Sequence, residues 1–189
     1  MASQGFAFIP ITAQVDGTAL ANSTTPTSLL PPAAIWTMPN NYLYIGKKFR
    51  VRAQGRISTL VTTPGTLMFS IRLGTGPVVA ATSDALALNV VAKTNVAWDL
   101  DWLLTCRAIG GGTSANFMHN GSFKSEAVIG SPLPSVGGIG ELPLVASAPA
   151  VGTGFDSTAA QKWDFFGNWS VANAANSILL HQFHIEDLN

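Results

Sequence analysis

Between residues 48 and 58 the chain alternates without a break, with Phe49, Val51, Ala53, Gly55 and Ile57 on one side and Lys48, Arg50, Arg52, Gln54, Arg56 and Ser58 on the other. A period of two belongs to a strand, because successive side chains point to opposite faces of a sheet. Apolar on one face and charged on the other is the pattern of an antiparallel sheet with one side in the core. The pattern returns at residues 66–73, with Leu67, Phe69, Ile71 and Leu73 in phase. The intervening Thr62-Thr63-Pro64-Gly65 supplies turn residues, so these two strands are expected to pair as a hairpin. A longer run, 95–108, places Val96, Trp98, Leu100, Trp102, Leu104 and Cys106 together and leaves through three glycines at 110–112. Residues 116–129 are its expected partner, with Gly121 marking a bulge or kink. Residues 161–171 and 177–188 form the third expected pair. Trp163, Phe165, Gly167, Trp169 and Val171 share one face, while Leu179 and Leu180 leave the register of the last strand open.

Shorter strands fit residues 6–15 and 77–81, with weaker candidates at 86–91 and 42–45. No segment has helical periodicity. About eight short strands separated by turn signals predict an all-β, two-sheet antiparallel sandwich, with jelly roll the expected topology. The 189 residues fit a single domain, 1–189. Two long apolar loops interrupt it, at about 22–41 and 130–155. The first is rich in Thr and Pro, and the second has Glu141 as its single charge. Loops of that length are uncommon without a function. Their small apolar residues predict arms lying extended on a neighbouring molecule. Candidate contact residues are Trp36, Pro31 and Pro32 in the first and Leu133, Leu142 and Leu144 in the second, with Arg50, Arg52 and Arg56 on the charged strand face. Trp36 equally fits a cap on one end of the sandwich.

Only 11% of residues are charged and the net charge is zero, against about a quarter charged in ordinary soluble domains. So sparse a charge predicts that much of the surface is covered, by copies of the chain or by a partner. A closed homo-oligomer, a trimer first, satisfies that expectation. The basic residues gather nowhere except 47–56, which argues against direct nucleic-acid binding. No stretch is apolar over the ~20 residues a membrane span requires. The first residues lack the basic start of a secretory signal. The single cysteine, Cys106, fits a reducing cytoplasm.

Catalytic and metal chemistry is not expected, and no cofactor. His181 and His184 lie three apart on a strand, which predicts opposite faces and no chelate. Asp99 and Asp101 share one face of one strand, so they do not oppose each other across a substrate as glycosidase carboxylates do. Pairing with Arg50, Arg52, Arg56 or Arg107 is the expectation for them. The glycine-rich pieces at 110–112 and 136–140 lack the lysine of a phosphate loop.

Several phrases carry a resemblance: Pro26-Thr27-Ser28-Leu29-Leu30-Pro31-Pro32, the string YLYIGKK at 42–48, GRISTLVTTP at 55–64 and APAVGTGFDSTAA at 148–160. They resemble small structural proteins of tailed-bacteriophage virions. The resemblance implies a non-enzymatic virion component made in the host bacterial cytoplasm. Its first implied role is a capsid decoration protein at the capsid surface, with the phage major capsid protein as partner. A tail or fibre receptor-binding module is the alternative, and a carbohydrate-binding jelly roll is a third.

Overall fold

A computed structural model describes residues 8–60, 62–74, 78–129, 140–145 and 150–188. The strands in chain order are β1 (Phe8–Thr12), β2 (Leu20–Ala21), β3 (Thr27–Ser28), β4 (Trp36–Met38), β5 (Lys48–Thr59), β6 (Thr66–Leu73) and β7 (Val78–Thr82). They continue as β8 (Leu86–Ala87), β9 (Lys93–Ala108), β10 (Asn116–Ser125), β11 (Gly140–Pro143), β12 (Ala150–Val151), β13 (Gln161–Trp169) and β14 (Ser177–Asp187). Among the described residues a single 3-10 turn spans Pro32–Ala34.

Two antiparallel sheets enclose the core. The larger runs β1-β14-β5-β9-β10-β11, and the smaller runs β3-β13-β6-β7. Every ladder is antiparallel. Take β1, β3, β5, β6, β7, β9, β13 and β14 as eight successive strands. The large sheet then begins first-eighth-third-sixth, and the small one reads second-seventh-fourth-fifth. That interleaving, in which the chain keeps crossing between sheets, is the jelly roll. β10 is added beyond β9 and widens the large sheet.

The alternating faces lie as the sequence predicts. Phe69, Trp98, Trp102, Trp163 and Trp169 are all buried, with Phe49, Phe117, Phe123, Phe155 and Phe165 between the sheets. Phe69 meets Phe123 at 5.2 Å, and Phe49 meets Trp163 at 5.1 Å, so rings from opposite sheets interlock. Such pairs add about 0.5–1.5 kcal/mol each beyond the area they bury.

Pairing departs from expectation twice. β5 and β6 form no hairpin, since β5 lies between β14 and β9 while β6 lies between β13 and β7. β13 and β14 likewise belong to different sheets. In both cases the linker crosses the sandwich, so two inward faces meet across the core and not side by side. Alternation defines which face is buried and is silent on which sheet the strand joins. The pair β9–β10 is as expected. Gly121, however, sits in continuous register opposite Trp102 and makes no bulge. A Cβ there would lie 2.2 Å from the Asp101 carbonyl oxygen, so the position requires glycine for close approach. Residues 42–45 are not strand.

The long stretches are extended, yet their described parts lie on the chain's own sheets. β3 and β4 both pair with β13, and β11 and β12 both pair with β10. Gly152 N and Phe155 N donate to Phe117 O and Ala115 O at 2.9 and 2.8 Å, continuing the attachment.

Within the core, the Trp102 indole donates to His119 Nδ1 at 3.3 Å. His119 is buried, and burial lowers its pKa while the Asp84 charge opposes the shift. The unfolded chain therefore binds a proton that the native state refuses. Stability from this residue is complete above about pH 6.5 and drains as pH falls through that value toward the lower folded pKa. Denaturant unfolding at pH 7.5 and pH 5 is expected to show a larger acid loss for the native chain than for His119→Phe. Equal losses would refute the assignment.

Candidate functional site

The outward face of the large sheet concentrates the chain's scarce charge. Arg50, Arg52, Gln54 and Arg56 project from β5, Asp99 and Asp101 from β9, Lys124 from β10, and His184 and Glu186 from β14. Register makes rows of them. One row runs Gln182, Gln54, Asp99, Lys124, and the next runs His184, Arg52, Asp101, Ser122. Nine of the chain's twenty acidic and basic side chains, Lys48 and Arg107 included, stand on these four strands facing out. No Phe, Tyr or Trp joins them.

The partners within the face are specific. Arg50 Nε donates to both oxygens of Asp101, at 2.9 and 3.1 Å, and Nη2 closes the fork. This hydrogen-bonded guanidinium, with its charge, holds the Asp101 carboxyl below the usual carboxylate range against the opposing pull of partial burial. Gln54 Nε2 donates to Asp99 Oδ2. His184 Nε2 lies 3.2 Å from Glu186 Oε1, and His181 Nδ1 lies 2.8 Å from Asp16 Oδ1. Arg52 differs from Arg50. Its Nε is 3.9 Å from Asp101 Oδ2, an ion-pair distance, and that buried nitrogen has no hydrogen-bond partner.

Three shallow depressions share these side chains. The first, about 460 Å³, is lined by Gln54, Arg56, Asp99, Lys124, His181 and Gln182, with Trp98 beneath. The second, about 450 Å³, includes Arg50, Arg52, Asp101 and Asn120. The third, about 170 Å³, is framed by Arg52, Gln54, Gln182 and His184. Gln54 and Gln182 belong to the first and third, and Arg52 to the second and third.

The two histidines differ from expectation. The β14–β5 register shifts between Leu180 and Gln182. That extra residue resets the alternation, so Leu180 and Phe183 both point inward while His181 and His184 both lie on the outer side. Among the described residues, no group of three or more His, Cys, Asp or Glu side chains is placed to hold a metal ion. Cys106 is buried, and burial raises its thiol pKa, opposite to what a nucleophile needs.

The expected contact residues fall in separate places. Arg50, Arg52 and Arg56 belong to the polar face. Trp36 packs against Tyr42, Phe49 and Trp163 at 5.7, 6.0 and 5.8 Å, closing one end of the core. Pro31 is buried and Pro32 exposed at the 3-10 turn. Leu142 packs against the core, and Leu144 is fully buried within it. Leu133 lies outside the described residues.

One charged pair escaped the sequence reading. Lys47 Nζ and Asp187 Oδ2 are 2.8 Å apart, both side chains buried. Tyr42 Oη donates to the same oxygen, and burial followed by that carboxylate pushes the tyrosine pKa up to about 12. The ammonium also lies 4.5 Å from the centre of the Tyr42 ring. The signal was parity: Lys47 is in phase with Phe49 and Val51, and Asp187 with Ile185 and Phe183, so both charges fall on inward positions.

No protein-family model and no curated protein matches the sequence. Among solved structures, the CBM2 module of the evolved Dit of Lactobacillus casei BL23 phage J-1 is similar over 99% of this chain and 98% of that one, at 11% identity and a TM-score of 0.40. Likeness of that degree transfers neither ligand nor role. The described chain is an all-β, two-sheet antiparallel jelly-roll sandwich, and among its described residues no helix is long and apolar enough to cross a membrane.

Proposed function

We propose that this chain is a non-enzymatic binding module of a bacteriophage virion, of the tail or receptor-binding kind, and that the outward face of the large sheet binds a hydroxylated ligand, a surface glycan. The observation that carries the binding face is the array of planar polar groups across β14, β5, β9 and β10. Arginine, carboxylate and carboxamide side chains each present paired donors or acceptors, which match the adjacent hydroxyls of a sugar. Without an aromatic ring among the outward side chains of these four strands, recognition there rests on hydrogen bonds and not on stacking.

The phage setting rests on the sequence resemblance. Within it, tail or receptor binding is favoured over capsid decoration because the described parts of both long stretches, β3, β4, β11 and β12, are engaged on the chain's own sheets and not held out for a capsid. Trimer assembly and a capsid-protein partner stay with that reading as its expectations. Asp99 and Asp101 serve binding, since Asp101 is already held ionised by Arg50 and is unsuited to donate a proton.

A panel of immobilised neutral and acidic oligosaccharides tests this. Binding to at least one class is expected, together with a roughly 10–100-fold loss in Asp99→Ala. That is the effect of removing a hydrogen bond to a charged group, about 1.5–3 kcal/mol. Binding to no oligosaccharide, or an unaffected Asp99→Ala, would overturn the reading.

A further inference from the structure

We infer that the small third depression is a carboxylate subsite, so that the glycan this face takes is acidic, with a sugar carboxylate seated on Arg52. The inference rests on the glycan-binding reading above and goes on to name the ligand's charge.

Four side chains frame the depression, Arg52, Gln54, Gln182 and His184, and none is an acid. Each nearby carboxylate is already engaged. Asp101 is gripped by the Arg50 fork, Asp99 accepts from Gln54, and Glu186 faces His184. Arg52 is thus left with a buried Nε–H that meets no acceptor. A buried unsatisfied donor on a charged group is costly, and an oxyanion on the same guanidinium offsets part of that cost by compensating its charge. The Arg52 side chain as a whole stays half-exposed, and the guanidinium's two Nη groups form a planar fork that matches a planar carboxylate in two parallel bonds. The Gln182 amide stands at the rim to add a third donor.

Size agrees. About 170 Å³ is below the roughly 300–1,000 Å³ of sites that engulf a whole small molecule. It admits a carboxylate and the edge of its ring. The rest of the ring and the next sugar then lie over the two larger depressions, which share Gln54, Gln182 and Arg52 with the small one. Hydroxyls there meet Asp99, Asn120 and Lys124. Only Arg52 among the framing groups carries a permanent charge, so one negative charge per bound sugar is matched.

Oligogalacturonate and its methyl ester provide the same sugar chain with and without the charge. Titration calorimetry of the full chain is expected to show the acid form bound at least tenfold more tightly than the ester, with the difference shrinking in high salt. Arg52→Gln is expected to abolish the preference, so that acid and ester bind with equal affinity. Gln182→Glu, at an exposed position that spares the fold, should weaken the acid form more than the ester by placing a like charge at the rim. Thermal unfolding of each variant separates a lost site from a lost fold. Equal binding of acid and ester, or a preference that survives Arg52→Gln, overturns the carboxylate subsite. So does tighter binding of a sulfated oligosaccharide than of the uronate. If ester or neutral panel sugars bind and depend on Asp99, the glycan-binding face stands while the acidic subsite falls. If no oligosaccharide of any kind binds, both fall.

Discussion

Replacing Asp187 with alanine is expected to cost about 3–5 kcal/mol of folding stability, measured as the shift in a urea unfolding midpoint at constant slope. The reason is the ammonium it leaves behind. Lys47 is buried at the end of the sandwich beneath the rings of Tyr42, Tyr44 and Phe49. The rings attract a cation, yet each such contact is worth only about 0.5–2 kcal/mol, less than the cost of burying a charge. Removing the carboxylate also strips the acceptor from the Tyr42 hydroxyl. The pair pins one end of the β14–β5 ladder, since Asp187 stands opposite Phe49 in that register and Leu188 N donates to Lys48 O at 3.1 Å. The double substitution Lys47→Met with Asp187→Leu is expected to recover most of the loss, because it removes both desolvated charges. If Asp187→Ala unfolds within about 1 kcal/mol of the native chain, the pair is solvated and this account of the sandwich end is wrong.

The buried faces were legible because alternation is a local property. Phe49, Val51 and Ala53, or Trp98, Leu100 and Trp102, declare their side of a strand without reference to any other strand. What local pattern does not carry is the partner. The linkers at 60–65 and 170–176 have the turn residues of hairpins, but each crosses between sheets, and only the jelly-roll interleaving shows why. The bulge beside His181 was invisible for a related reason. One unpaired residue changes the face of everything after it, and the mixed string Leu179-Leu180-His181-Gln182 permits either phase. The candidate site was half legible. Arg50, Arg52, Arg56, Asp99 and Asp101 could be placed on one outer surface from their parity alone. That Arg50 takes the Asp101 carboxylate and leaves Arg52 unsatisfied is a matter of side-chain geometry that no spacing encodes.

Leu144 tests how the stretch 130–155 is held. Its stretch reads as a detached arm, because Gly, Pro, Ala and Ser dominate residues 130–155 and strand periodicity is lost. A detached arm predicts that Leu144→Ala leaves stability untouched. The structure predicts a loss of roughly 2–5 kcal/mol, the range for truncating a buried leucine to alanine and leaving a cavity. Leu144 is fully buried, its N–H donates to Gly121 O at 2.8 Å, and its carbonyl accepts from Asp84 N at 2.7 Å. Its side chain occupies the space that a residue larger than glycine at 121 would need, since a Cβ there would come within 2.9 Å of Leu144 Cδ1. The two positions are therefore in contact, but removing the leucine side chain does not make room for a larger residue at 121. Gly121→Ala remains destabilising even beside Leu144→Ala, because the added Cβ still meets the Asp101 carbonyl oxygen at 2.2 Å, a backbone atom that cannot yield without parting β9 from β10. The expected order of unfolding midpoints is native, then Leu144→Ala, then the double variant. A double variant as stable as Leu144→Ala alone would mean that β10 has room at Gly121, and that residues 140–144 rest on the sheet without being built into it.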